Sequence, residues 1–226
     1  MKNFSSTHNI GNQENFRSLA GYAGQELVLG RLMLCGFNVL RSLWRDSKYD
    51  GMFEVNNQSI KIEIKSTKND KFTVTSGARA GRQIRRSVES RERILQTEDA
   101  DFFFGVSIKD GTCWMIPVEF ISICKRRDYP FQYIEKFKEK FKIFLGFEKY
   151  GINTKDIKSG FLKKSEDELE FLCKKNKIEI SNIVKKNNFV YSKEKLFGNS
   201  RSQSKITVSY KESLILDIWI FLYNNA

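Results

Sequence analysis

Glu63-Ile64-Lys65, with Asp50 thirteen residues upstream, is the group of residues in this chain best suited to chemistry. Two carboxylates can hold a hard divalent cation, and an ammonium beside them can stabilise charge on a phosphate, so the set suffices for metal-assisted cleavage of a phosphodiester. Every second residue of Ser59-Ile60-Lys61-Ile62-Glu63-Ile64-Lys65-Ser66 is isoleucine. Strand alternation therefore puts the three isoleucines on one face and Lys61, Glu63 and Lys65 on the other. The pattern acid-x-lysine recurs at Asp46-Lys48 and Asp156-Lys158, but neither copy lies in an alternating apolar run. Taken alone, the charged face could equally be a solvated cross-strand ladder worth little.

The elements around the motif must bring the first acid back to it. Residues 49–55 read as a strand and Asn56-Asn57-Gln58 as a tight turn, a hairpin that returns Asp50 to the second strand. Residues 1–16 are polar and read as a loose arm. Over 17–36, Leu19, Ala23, Leu27, Gly30 and Leu34 fall on one helical stripe, with Gly36 as the stop. Glu26 borders that stripe, and a helix packed beside the hairpin could aim it at the same site. Residues 37–43 and 72–75 read as further strands. Residues 101–108 form a continuous apolar strand, Asp110-Gly111 a turn into a strand at 113–116, and Pro117 opens a helix through Ile123. Residues 1–124 thus read as one α/β unit.

Composition narrows the chemistry. A chain of 226 residues with 40% hydrophobic content can bury a substantial core. No run reaches membrane-span length and the N-terminus lacks a signal-peptide apolar segment, so a cytoplasmic protein without membrane contact is expected. Cys35, Cys113, Cys124 and Cys173 are scattered, which suggests neither a disulfide framework nor a zinc site. His8 is the single histidine, so hydrolysis would run on carboxylates, lysine and a hard metal ion.

The net charge of +12 points to a polyanionic partner. Residues 1–120 carry 17 basic and 14 acidic side chains, net +3, whereas 121–226 carry 22 and 13, net +9. Six of the thirteen arginines fall between Arg79 and Arg93. Ile84, Val88 and Leu95 predict a helix over 80–96 with one apolar stripe, which would present Arg79, Arg82, Gln83, Arg85 and Arg86 to DNA. The alternative is a solvated helix whose arginines are tied by Glu89 and Glu92.

From Lys125 onward the chain reads as lysine-rich helices with aromatic spacing over 131–147, the phenylalanines serving as core. Ser165-Glu166-Asp167-Glu168 predicts a capping box and a helix to Lys175. Residues 205–210 read as a strand, 213–223 as an apolar closing helix, and 198–204 as the best flexible-loop candidate.

This order of elements, a helix with Glu26, a hairpin with Asp50 and Glu63-Ile64-Lys65, then a basic helix and more strands, resembles the PD-(D/E)XK nuclease superfamily. The spacing of Glu26, Asp50, Glu63 and Lys65, with Lys65-Ser66-Thr67, is similar to that of the archaeal Holliday-junction resolvases over residues 18–120. Tyr49 stands where proline precedes the first acid of the motif, a position that varies in the superfamily. The resemblance implies an α/β fold, a mixed central β-sheet flanked by helices, followed by a mainly helical basic C-terminal region at 125–226 for DNA recognition or dimerisation, packed on the core as one unit. It further implies Mg²⁺ held by Asp50, Glu63 and the Ile64 carbonyl, Glu26 as an additional ligand, Lys65 orienting the attacking water, and no organic cofactor. The extra basic residues favour a chain that reads a sequence. In length and general character the protein resembles a type II restriction endonuclease, which implies a homodimer on double-stranded DNA and a palindromic, A/T-rich site cut to blunt ends. A Holliday-junction-resolving or homing endonuclease keeps the same site, whereas in a non-catalytic DNA-binding protein Asp50, Glu63 and Lys65 would be a structural ion cluster.

Overall fold

Alternating isoleucines and a pair of asparagines set the geometry of the central hairpin, and the other elements pack around it. The computed structural model describes residues 13–43, 47–76, 93–146, 150, 152, 158, 160–181, 189–191, 196 and 205–226. The first half runs α1 (Gln13–Leu34), β1 (Asn38–Arg41), β2 (Gly51–Val55), β3 (Gln58–Thr67), β4 (Lys71–Thr73) and β5 (Thr75–Ser76). There follow β6 (Arg93–Ile94), β7 (Phe102–Ser107), β8 (Cys113–Pro117), α2 (Val118–Cys124), β9 (Asp128–Pro130) and α3 (Ile143–Gly146). The chain closes with α4 (Glu166–Asn176), β10 (Phe189–Tyr191), β11 (Ile206–Val208) and α5 (Tyr210–Asn224).

Asn56 and Asn57 both take positive φ, 47° and 60°, the two-residue turn whose twist matches an antiparallel hairpin. Their short side chains tolerate this conformation far better than branched ones would. The hairpin pairs Val55 with Gln58 and Gly51 with Ile62. On its other edge β3 runs parallel to β7, from Ile62↔Phe102 to Thr67↔Ser107. The mixed five-stranded sheet has the order β1-β2-β3-β7-β8. β3, the longest strand, therefore sits at the centre with its last residues projecting past β2.

Helix α1 covers one face of this sheet, but not through the stripe that the sequence suggests. Leu19 and Leu34 are 55% and 89% exposed, while Val28, Leu29 and Leu32 are buried and Gly24 faces β3. A Cβ on Gly24 would stand 1.9 Å from Ser66 Oγ, so helix and strand touch backbone to side chain there. This close approach fixes how the helix is rotated about its axis.

On the opposite face an aromatic group shields the sheet beside Lys65. Gly105, the β7 partner of Lys65, lies under the Phe72 ring, where a Cβ would come within 2.4 Å of a ring carbon. Phe72 in turn meets Trp114 and Phe131, which stack at 4.2 Å. Residues 131–141 thus supply core aromatics, but as two 3-10 turns, Phe131–Tyr133 and Glu135–Phe137, rather than lysine-rich helices. The reason is tertiary: β9 pairs with β4, and Glu139 adopts φ 55°, where its carboxylate accepts from Cys113 N and from Arg31.

Among the described residues of 125–226, those that are buried share one hydrophobic core with the sheet. Both α4 and α5 open on capping boxes, Ser165 with Glu168 and Ser209 with Glu212. Trp219 on α5 packs edge-on against Phe102 and Phe161, and Tyr223 donates its hydroxyl to the Met115 carbonyl. No helix among the described residues is long and apolar enough to cross a membrane.

The tie between α2 and α5 contains a buried acid. Glu119 accepts from Trp219 Nε1 at 2.7 Å and from Leu162 N at 2.6 Å, with Lys211 nearby. Burial nonetheless pushes its carboxyl up to about 7. An acid whose folded-state pKa lies above its unfolded value weakens the fold once the unfolded state ionises first. Stability should therefore fall as pH rises from about 4.5 to 7, by on the order of 3 kcal/mol from this group. In thermal melts across that range, Glu119→Gln is expected to flatten the decline. An unchanged slope would mean that Glu119 does not contribute it.

Candidate active site

The site is built where β2 stops and β3 continues. Gly51 is the last β2 residue in register, opposite Ile62, and Asp50 stands just outside the paired strand. Asp50 N donates to Ile62 O at 2.9 Å, so Asp50 and Gly51 face the same residue of β3. The Asp50 carboxylate then caps the exposed edge, its Oδ2 accepting from Ile64 N at 2.8 Å. In a strand the N–H and C=O of one residue point to the same edge. The Ile64 carbonyl is therefore directed to the edge that Asp50 occupies, and the odd residues face β7, where Lys61 N donates to Asp101 Oδ2.

Glu63 and Lys65 lie together on the half-buried face of β3, alternating with buried Ile60, Ile62 and Ile64. The Lys65 ammonium donates to the carbonyl of Thr75, the first residue of β5. That two-residue strand pairs with β6, Thr75↔Ile94 and Ser76↔Arg93. The end of the arginine-rich helix expected over 80–96 is thus strand and turn. Arg93 is committed to Asp99 through two 2.7 Å bonds, and Leu95 is buried. Arg79, Arg82, Gln83, Arg85 and Arg86 lie outside the described residues, as does the loop candidate at 198–204.

Helix α1 reaches the site with a residue that the sequence reading passed over. Gln25 Nε2 donates to Asp50 Oδ1 at 2.8 Å. Glu26, one residue on and about 100° further round the helix, is 58% exposed and forms an ion pair with Arg41 of β1. The Arg41 guanidinium also lies over the Tyr22 ring, 5.9 Å from its centroid. Glu63 and Lys65 share β3, Asp50 is bonded to that strand through Ile64 N, and Glu26 is held on the outer surface. The signal for Gln25 was Gly24: had the buried stripe been drawn through Gly24, Val28 and Leu32, Gln25 would have bordered it on the side of the hairpin.

Both Asp50 oxygens accept a hydrogen bond. Asp50, Glu63 and the Ile64 carbonyl are all hard oxygen donors. No group of three or more acidic, histidine or cysteine side chains that could hold a metal occurs among the described residues. Such a set suits Mg²⁺, which is commonly held by one or two carboxylates while retaining several waters, and does not suit zinc.

The sequence matches no family model and no curated protein. Among solved structures the chain is similar to a bacterial homing endonuclease, I-Ssp6803I, over 53% of this chain and 78% of that one, with 20% identity and a TM-score of 0.41. A likeness of that size carries no conclusion about activity.

Proposed function

We propose that this protein is a Mg²⁺-dependent endonuclease that cleaves phosphodiester bonds in double-stranded DNA. What supports the reading is that Asp50 accepts from Ile64 N at the open edge of β3, with Glu63 and Lys65 flanking Ile64 on the same strand. Asp50, Glu63 and Ile64 would hold the ion, which supplies Lewis acidity: it neutralises charge developing on phosphoryl oxygens and acidifies water. Lys65 offers an ammonium with three donors, one of them taken by Thr75; a phosphate oxygen is the partner we assign to another. A donor fixed there stabilises negative charge as it builds up during attack.

The chain leaves β5 at Ser76 and returns at Arg93, which are partners, so both ends of the arginine-rich stretch are tethered beside the carbonyl that holds Lys65. This supports assigning Arg79, Arg82, Gln83, Arg85 and Arg86 to contacts with DNA. One such site per chain and two strands per duplex favour a two-fold symmetric homodimer, as in a type II restriction enzyme with a palindromic site. Incubation with mixed-sequence duplex DNA and Mg²⁺ tests this reading. Discrete fragments are expected; cutting confined to a four-way junction would replace it with junction resolution, and intact DNA in both substrates would end it.

A further inference from the structure

Helix α1 and the first acid of the site are joined by a side-chain bond, Gln25 Nε2 to Asp50 Oδ1. Three features make this bond a fixed part of the site. Gly24 abuts Ser66, so the helix cannot rotate or lift without a steric clash or a lost contact. Gln25 follows directly, which places its amide at the edge of β3. Asp50 Oδ2 is pinned by Ile64 N from the other side, so the two donors together fix the carboxylate plane. The amide nitrogen must be the end that faces Asp50, because its oxygen would repel the carboxylate.

Glu26 has the opposite environment. Its carboxylate is neutralised by Arg41, exposed to solvent, and directed along the β1 edge.

We infer that Gln25 is the positioning residue of the metal-binding carboxylate, and that α1 contributes a neutral amide to the site instead of a third acid. This inference rests on the nuclease reading. Groups that orient a metal ligand from outside the coordination sphere typically change metal affinity by about 10- to 100-fold when removed. A purely structural helix contact would lower stability and leave metal affinity alone.

The test uses the full chain and reads Mn²⁺ binding by electron paramagnetic resonance without DNA, alongside thermal melts and the Mg²⁺ dependence of DNA cleavage. Gln25→Ala is expected to weaken Mn²⁺ binding about tenfold and to raise the Mg²⁺ needed for half-maximal cleavage, while the rate at saturating metal changes less. Glu26→Gln should match the unmodified protein in all three. Gln25→Glu retains the side-chain length and places a charge against Asp50 that a cation relieves, so added Mn²⁺ should raise its melting temperature more than that of the unmodified protein. The inference is overturned if Glu26→Gln loses Mn²⁺ affinity while Gln25→Ala keeps it, or if Gln25→Ala binds and cleaves normally. If the unmodified protein neither binds Mn²⁺ nor cuts DNA, the nuclease reading itself fails, a result distinct from a normal Gln25→Ala.

Discussion

Replacing Asp50 by asparagine is expected to slow DNA cleavage by at least about a thousandfold, because the change removes a charge from the ion's donor set and scrambles its support. The native carboxylate accepts from Gln25 at one oxygen and from Ile64 N at the other. Asparagine has one acceptor oxygen, so it can accept from Ile64 N only if the Gln25 amide turns over to meet its NH₂. Losing a hydrogen bond to a charged group also costs about 1.5–3 kcal/mol, which thermal or urea denaturation would register. Binding to DNA in the presence of EDTA should persist, since one less negative charge faces the phosphates. A variant that still cuts within tenfold of the native rate would remove Asp50 from the chemistry.

The largest effect on folding is expected from Trp219→Ala. Trp219 is 1% exposed, packs against Phe102 and Phe161, and donates to Glu119. Truncating a buried tryptophan costs about 3–5 kcal/mol in lost burial and cavity, and the Glu119 oxygen left without its donor adds about 1–3 kcal/mol. Domains of this kind have total stabilities of about 5–15 kcal/mol, so the variant should unfold at much lower urea, where it unfolds cooperatively at all. Trp219→Phe keeps most of the ring and loses the N–H, so it should lie between. A loss below about 1 kcal/mol for the alanine variant would show that α5 is not part of the common core. The consequence reaches the site, because Phe102 pairs with Ile62, adjacent to Glu63 on β3.

The hairpin was legible because its information is local. Two asparagines take the left-handed turn, and a period of two sorts Glu63 and Lys65 from the isoleucines, so register sets Gly51 across from Ile62 and brings Asp50 to the edge of β3. The rotation of α1 was not legible. Leu19 and Leu34 are apolar yet exposed, and the contact that decides the rotation is between Gly24 and Ser66, forty-two residues apart. Apolar spacing over 131–147 likewise suggests helices, whereas pairing of β9 with β4 and the left-handed Glu139 hold residues 131–139 in short turns, with a helix only at Ile143–Gly146 among the described residues. Local pattern decides an element's type well when its partners are neighbours in sequence, and poorly when a distant contact sets it.

The most direct test of the nuclease account is a side-by-side cleavage assay of duplex DNA in Mg²⁺ by the native chain and its Lys65→Ala variant. The account predicts discrete fragments from the native protein and cutting at least about a hundredfold slower from the variant, whose site lacks the ammonium that meets the phosphate. Intact DNA from the native protein in both Mg²⁺ and Mn²⁺, or equal cutting by the two proteins, would contradict it.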